Sequence, residues 1–190
     1  SFPQPGETVL GGEFLMNPGG KGANQAVAAA RLGGNVSFVG RVGNDLFGKE
    51  AVAHLKNEGV DVSLVEYDAV LNSGIALITV DDKAENTIVV ASGANTALKF
   101  DEGNRYDSLI DSDTIVLLQL EIPLDTVRAV VQYAKSRGAT VVLNPAPAVQ
   151  LSAEILNFVD MIVPRLVQCE SGCLPISCSG SIGCLSHIRE

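Results

Sequence analysis

The chain has 190 residues, 46% of them hydrophobic, enough for one sizeable folded domain or a little more. Its 13 Lys and Arg against 22 Asp and Glu leave a formal charge of −9 with no Lys/Arg cluster, which argues against nucleic acid and anionic membrane surfaces as partners. No apolar run approaches the ~20 residues of a membrane span, no secretory signal is visible, and a cytoplasmic location is expected.

Residues 7–16 read as extended structure with a bend at Gly11-Gly12. The next stretch, Gly19-Gly20-Lys21-Gly22-Ala23-Asn24-Gln25, is a glycine-rich turn opening into an alanine-rich helix over 23–32, which Gly33-Gly34 ends. Gly20 and Gly22 carry no Cβ, so a small ligand can come close to the backbone there. The first amides of the helix point the same way and favour an oxygen-rich ligand, and Lys21 and Asn24 add polar side chains from the same turn. The turn is not a Walker A loop, which needs Ser or Thr where this chain has Gly22. Nor is it a dinucleotide fingerprint, which needs Gly or Ala where Gln25 stands and an acid after the next strand where Gly40 stands.

A short apolar strand is predicted over 36–39, an amphipathic helix over 46–57 with Leu46, Ala53 and Leu55 among its apolar positions, and a strand over 62–67. Residues 73–80 and 86–91 read as a β-hairpin around Asp81-Asp82-Lys83-Ala84-Glu85. The continuous apolar run 114–120 predicts a strand buried on both faces. A helix over 124–137 closed by Gly138, a buried strand over 140–143, a short helix over 152–158 capped by Ser152 and a strand over 160–163 follow. From about 98 to 163 strands and helices alternate, which implies an α/β fold with a parallel sheet and helical crossovers. The hairpin stands outside that alternation, and its apolar inner face needs a partner to cover it.

Glu121 and Asn144 follow two of these strands, at the edge where open α/β sheets place ligands. Glu121 can equally begin the turn before Pro123, and Asn144 can equally serve the turn before Pro145. His54 is read as a surface residue, and His187, in the tail, carries no assigned role.

Several blocks agree in order: 19–33, Gly40-Arg41-Val42-Gly43-Asn44-Asp45-Leu46-Phe47-Gly48, Ser92-Gly93-Ala94-Asn95, Gln119-Leu120-Glu121 and Asn144-Pro145-Ala146-Pro147-Ala148. Over residues 1–164 they resemble the ribokinases of the PfkB carbohydrate kinase family. Lys21 with Gln25, and the Asn-Pro-Ala-Pro block, favour that branch over fructokinase and nucleoside-kinase relatives. The resemblance implies a ribokinase-like α/β domain, a parallel sheet flanked by helices with a small β-sheet lid formed by about 7–20 and 73–91. It implies ATP-dependent phosphorylation of D-ribose to ribose 5-phosphate, with Mg²⁺ and a monovalent cation as further cofactors, and a homodimer formed through the lid. At matching positions, Gly20, Lys21, Gly22, Asn24 and Glu121 are the implied substrate-binding residues, with Ala94 of the lid and Asn144 as further candidates.

The pattern breaks at Pro164. The family continues into an Asn that touches nucleotide and a Glu of the phosphate and metal region; here Arg165-Leu166-Val167-Gln168-Cys169 follows. All four cysteines, Cys169, Cys173, Cys178 and Cys184, lie beyond the break. Residues 165–190 are expected to be an unrelated, disordered Cys/Ser/Gly-rich tail, read as a frameshift, altered splice product or assembly fault. The cysteine spacings lack the paired form of zinc modules, and a cytoplasmic setting disfavours disulfides. No Gly-x-Gly-Asp occurs in the sequence, so the family's aspartate base has no counterpart. The Asn and Asp of the family's first strand, which hold sugar hydroxyls, have none either. No catalytic residue and no metal ligand is therefore assigned, and the ATP, Mg²⁺ and cation sites are expected to be largely absent. Two functions stand: a truncated ribokinase-family sugar kinase, or a non-enzymatic sugar-binding or dimerisation fragment, a non-functional product included.

Overall fold

In the computed structural model, which describes residues 2–101, 105–164 and 186–187, the alanine-rich run is a helix. This helix, α1 (Lys21–Arg31), begins directly at Gly20. Alanine loses no side-chain entropy on becoming helical, so the run needs little further support. After α1 the Gly33 amide donates to Ala30 O and the Gly34 amide to Ala29 O, the paired closure that a positive-φ glycine permits. The same closure ends α2 (Leu46–Asn57) at Gly59 and α3 (Leu124–Ser136) at Gly138.

The chain forms two compact units, Ser1–Asn95 and Thr96–Glu190. In the first, β1 (Gly40–Gly43) pairs in parallel with β2 (Val65–Asp68), and α2 is the crossover between them. Ala26 of α1, Leu55 of α2 and Val60 form its buried cluster, with Val36, Phe38 and Val62 packed against them.

The strand expected over 36–39 is corrected. Only Ser37 bridges, to Asp61, and the continuous ladder starts at Gly40. The apolar residues that suggested a strand are there for packing, while pairing resumes on the glycine-bounded segment beyond them. Residues 62–65 are likewise a turn, closed by the Val65 amide on Val62 O, so β2 starts later than 62. Of the three apolar positions named on α2, only Leu55 is buried; Leu46 and Ala53 are exposed.

The predicted hairpin is present as β3 (Ile75–Val80) and β4 (Asn86–Ala91), antiparallel, with Ile78 opposite Ile88. Asp81 holds its turn, accepting from the Lys83 and Glu85 amides. Both hairpin faces are apolar and exposed: Leu77 and Val89 on one, Ile78, Ile88 and Val90 on the other. Residues 7–20 join no ladder among the described residues, so of the two segments expected to form a small sheet only 73–91 supplies paired strands there. Glycines and a proline through that segment weaken it as a strand.

In the second unit β5 (Ile115–Leu118), β6 (Thr140–Leu143) and β7 (Met161–Ile162) form the parallel sheet that the alternation implied, with α3 and α4 (Ala153–Leu156) as crossovers. Val127, Val131 and Ala134 recur on one face of α3 and are fully buried. Burial of β5 on both faces is corrected: Leu118 is buried, but Ile115 is 68% exposed and Leu117 40%. Positions 115 and 117 lie on one side of the pleat, and β5 is the outer strand of this sheet. Ser152 stands at the N-cap of α4, yet its side chain makes no capping bond; its carbonyl accepts from Ile155 and Leu156 instead.

The tail departs from expectation at one place. Ser186–His187 forms β8, antiparallel to β7, although two residues leave no readable period in a sequence. The expectation of disorder in the rest of 165–190, and all four cysteines, lie outside the described residues. Among the described residues no helix is long and apolar enough to cross a membrane.

Candidate functional site

The glycine turn has the geometry a ligand site needs. Gly20 is the N-cap of α1 at φ 93° and ψ 141°, a backbone region that residues with a Cβ avoid. A Cβ built there would meet nothing within 4 Å, so conformation rather than crowding selects glycine, and the space in front of it is open. No side chain caps the helix, and the first helical bond is the Asn24 amide to Gly20 O at 3.0 Å. The amides of Gly22 and Ala23 therefore point out of this end of α1. Lys21 and Gly22 are half-buried and Asn24 is exposed. Four of the residues singled out in the sequence thus share one turn.

In the second unit, Glu121 and Asn144 lie past the C-terminal ends of adjacent parallel strands. The ladder carries on beyond β5 and β6 through the Asn144 amide to Leu118 O at 2.8 Å and the Leu120 amide to Ala146 O at 2.9 Å. Glu121 is half-buried. The Asn144 Oδ1 is shielded from solvent and has no hydrogen-bond partner among the described residues. A buried acceptor left in this way loses its hydration without compensation, which is rare in folded proteins.

Ala94 lies on the 3-10 turn Gly93–Ala97 and is fully buried, its amide donating to Asn72 O at 2.8 Å. It belongs to the root of the hairpin rather than to an open surface.

That root is organised by residues to which sequence reasoning gave no role. Asp45 caps α2, its Oδ1 accepting the Gly48 amide at 2.8 Å and the Ser73 hydroxyl at 2.7 Å. Its Oδ2 accepts the Ser73 amide at 2.7 Å, and the Gly43 amide donates to Ser73 Oγ at 3.0 Å. Hydrogen bonds from the Ser73 hydroxyl first, then from the Ser73 and Gly48 amides, hold the Asp45 carboxyl below the usual carboxylate range. Asp68 is lowered too, by the Leu71 and Val70 amides and then by Arg41, whose Nε lies 2.8 Å away. An acid directly before a helical run is an N-cap signal that the sequence displays at Asp45. A cleft of ≈ 300 Å³ opens beside this node, lined by Asp45, Leu46, Phe47, Asn72, Ser73 and Ile75.

Among the described residues no three His, Cys, Asp or Glu side chains converge as a metal site requires.

Comparison with known proteins places these features in context. A family model described as pfkB family carbohydrate kinase matches residues 1–166. The chain is 43% identical over 169 residues to a ribokinase of Haemophilus influenzae, covering 89% of this chain and 55% of that protein. It is 36% identical over 170 residues to a deoxyribokinase of Salmonella typhi, covering 89% and 56%. The solved structure of Arabidopsis thaliana ribokinase complexed with ribose and ATP superposes with a TM-score of 0.79 at 30% identity, covering 90% of this chain and 56% of that one. The chain spans about half the length of the relatives it matches.

Proposed function

We propose, because this chain belongs to the pfkB family of carbohydrate kinases, that it carries the sugar-recognition elements of an enzyme that phosphorylates D-ribose with ATP. Its fold is the ribokinase-like α/β arrangement. The observation that carries the reading is the Gly20 turn. Its backbone conformation, the open space where a Cβ would stand and the outward amides of α1 suit the hydroxyls of a small sugar. Lys21, Gly22 and Asn24 complete that turn. Within the second unit, taken by itself, the Glu121 carboxylate suits accepting a hydrogen bond from a sugar hydroxyl, and the unpaired Oδ1 of Asn144 is a further acceptor on the same strand edge. ATP supplies the phosphoryl group in the family reaction; no residue here is assigned to it, because the family's nucleotide Asn and its Gly-x-Gly-Asp have no counterpart in the sequence.

The exposed apolar faces of the hairpin support a second element of the reading, a homodimer in which a second copy covers them. The rival reading is a sugar-binding or dimerisation fragment without catalysis, and it differs from the first in turnover. Calorimetric titration of the 190-residue chain with ribose, run beside a coupled assay for ribose-dependent ADP formation, separates the two. Ribose binding without turnover is expected of the chain alone. Turnover in a longer form that carries the aspartate base is expected of the parent enzyme.

A further inference from the structure

Asp45 takes no part in the sugar contacts proposed above, yet three donors from two separate segments converge on it. We propose that Asp45 is a positioning residue for the sugar site, fixing the root of the β3–β4 hairpin to the N-terminus of α2, the helix against which the glycine-turn helix α1 is packed. Its consequence for sugar rests on the reading of the Gly20 turn; the positioning itself rests on geometry alone.

Helix α2 has 12 residues, so it is a rod of about 18 Å. Near its C-terminal end Leu55 is buried with Ala26 of α1. At its N-terminal end Asp45 grips Ser73, the residue from which the hairpin departs. One rigid element thus packs against α1 near one end and holds the hairpin root at the other. The packing around the grip is tight. A Cβ on Gly43 would lie 2.4 Å from Ser73 N, and one on Gly48 would lie 2.2 Å from Gly43 O and 2.7 Å from Ser73 Oγ. The returning strand is tied to the same place, since the Ala94 amide donates to Asn72 O and a Cβ on Gly93 would lie 2.3 Å from that oxygen. Beyond these roots the strands pair with each other alone among the described residues, and both faces are exposed. The direction of the hairpin is therefore set where Asp45 holds it.

A carboxylate is the group this junction needs, because both oxygens accept and neither can be replaced by a donor. In Asp45→Asn one oxygen can keep the Gly48 amide and the Ser73 hydroxyl, which preserves the helix cap. The new NH₂ then faces the Ser73 amide, donor against donor. The substitution loosens the root while sparing the helix.

The test is hydrogen exchange on the full chain without sugar, followed by ribose titration. In Asp45→Asn the Ser73 and Ala94 amides are expected to exchange about tenfold faster. The Val60 amide, bonded to Leu55 O at the far end of α2, is expected to stay at its wild-type rate. Ribose affinity is expected to fall with the root. Ser73→Ala removes the hydroxyl bonds and keeps the amide bond, so it gives a smaller rise at the same amides and serves if Asp45→Asn does not fold. Unchanged exchange at Ser73 and Ala94 would overturn the positioning role. So would a uniform rise that includes Val60, which would make Asp45 a residue of general stability. A loosened root with undiminished ribose affinity would sever the hairpin from the sugar site. If the wild-type chain binds no ribose, the sugar reading fails, and the exchange pattern alone decides whether Asp45 positions the hairpin.

Discussion

Replacing Gly20 by Ala isolates the glycine turn from everything else. At φ 93° and ψ 141° the alanine is forced into a region that costs about 1–3 kcal/mol. The added Cβ meets no protein atom within 4 Å, so none of the cost comes from crowding. Gly59 is the matched control: its φ is 82°, its Cβ would also meet nothing within 4 Å, and it ends α2 instead of opening α1. Gly59→Ala should cost about 1–2 kcal/mol of stability. Urea denaturation measures that part for both variants. Only Gly20→Ala puts a methyl group into the space a sugar would fill, so only that variant should lose ribose affinity, by roughly tenfold or about 1.4 kcal/mol. Equal ribose affinity in Gly20→Ala and the wild type would refute the assignment of sugar to this turn. An equal loss in Gly59→Ala would show that affinity follows general stability.

Glu121→Ala should weaken ribose binding by roughly tenfold or more, since a hydrogen bond to a charged group is typically worth about 1.5–3 kcal/mol; calorimetry of the variant with unchanged affinity would remove Glu121 from the site. Asp45 and Asp68 have native carboxyls lowered by the donors around them, so the stability they contribute is complete above the unfolded-state value near about pH 4 and is lost as pH falls through their native values. Urea midpoints measured from neutral pH downward should show that loss, and Asp45→Asn should show less of it; a midpoint that rises on acidification would contradict the assignment. Leu77→Lys, placed on an exposed apolar face of the hairpin, should shift the chain toward monomer in sedimentation, and an unaltered oligomer would place the interface elsewhere.

Much of this fold is legible in the residues, and the reasons differ by element. Helix α2 was predicted with its observed limits because an amphipathic run stops at Gly59; the Asp45 cap at its other end went unread. The β5–α3–β6–α4–β7 alternation was readable because each strand is a short apolar run bounded by polar turns. Hydrophobic runs misled where packing and pairing separate. Val36 and Phe38 are apolar because they cover the α1–α2 cluster, while the ladder belongs to Gly40–Gly43, which carries little strand propensity. The burial of β5 was misread because an unbroken apolar run does not say which face is covered. The glycine turn was legible as a helix start because its glycines stand directly before the alanine-rich run. The Asp45–Ser73 junction was not, since its partners are separated by 28 residues and only the folded chain brings them together.

The most direct test of the sugar-recognition reading is a titration of this 190-residue chain with ribose, with ATP and Mg²⁺ then added and ribose 5-phosphate measured. Saturable ribose binding that Gly20→Ala weakens, with product no higher than the enzyme-free blank, is the expected result. No binding at any accessible ribose concentration would contradict the assignment of the sugar elements to this chain. Product well above the blank would contradict the proposal that this chain recognises the sugar without phosphorylating it.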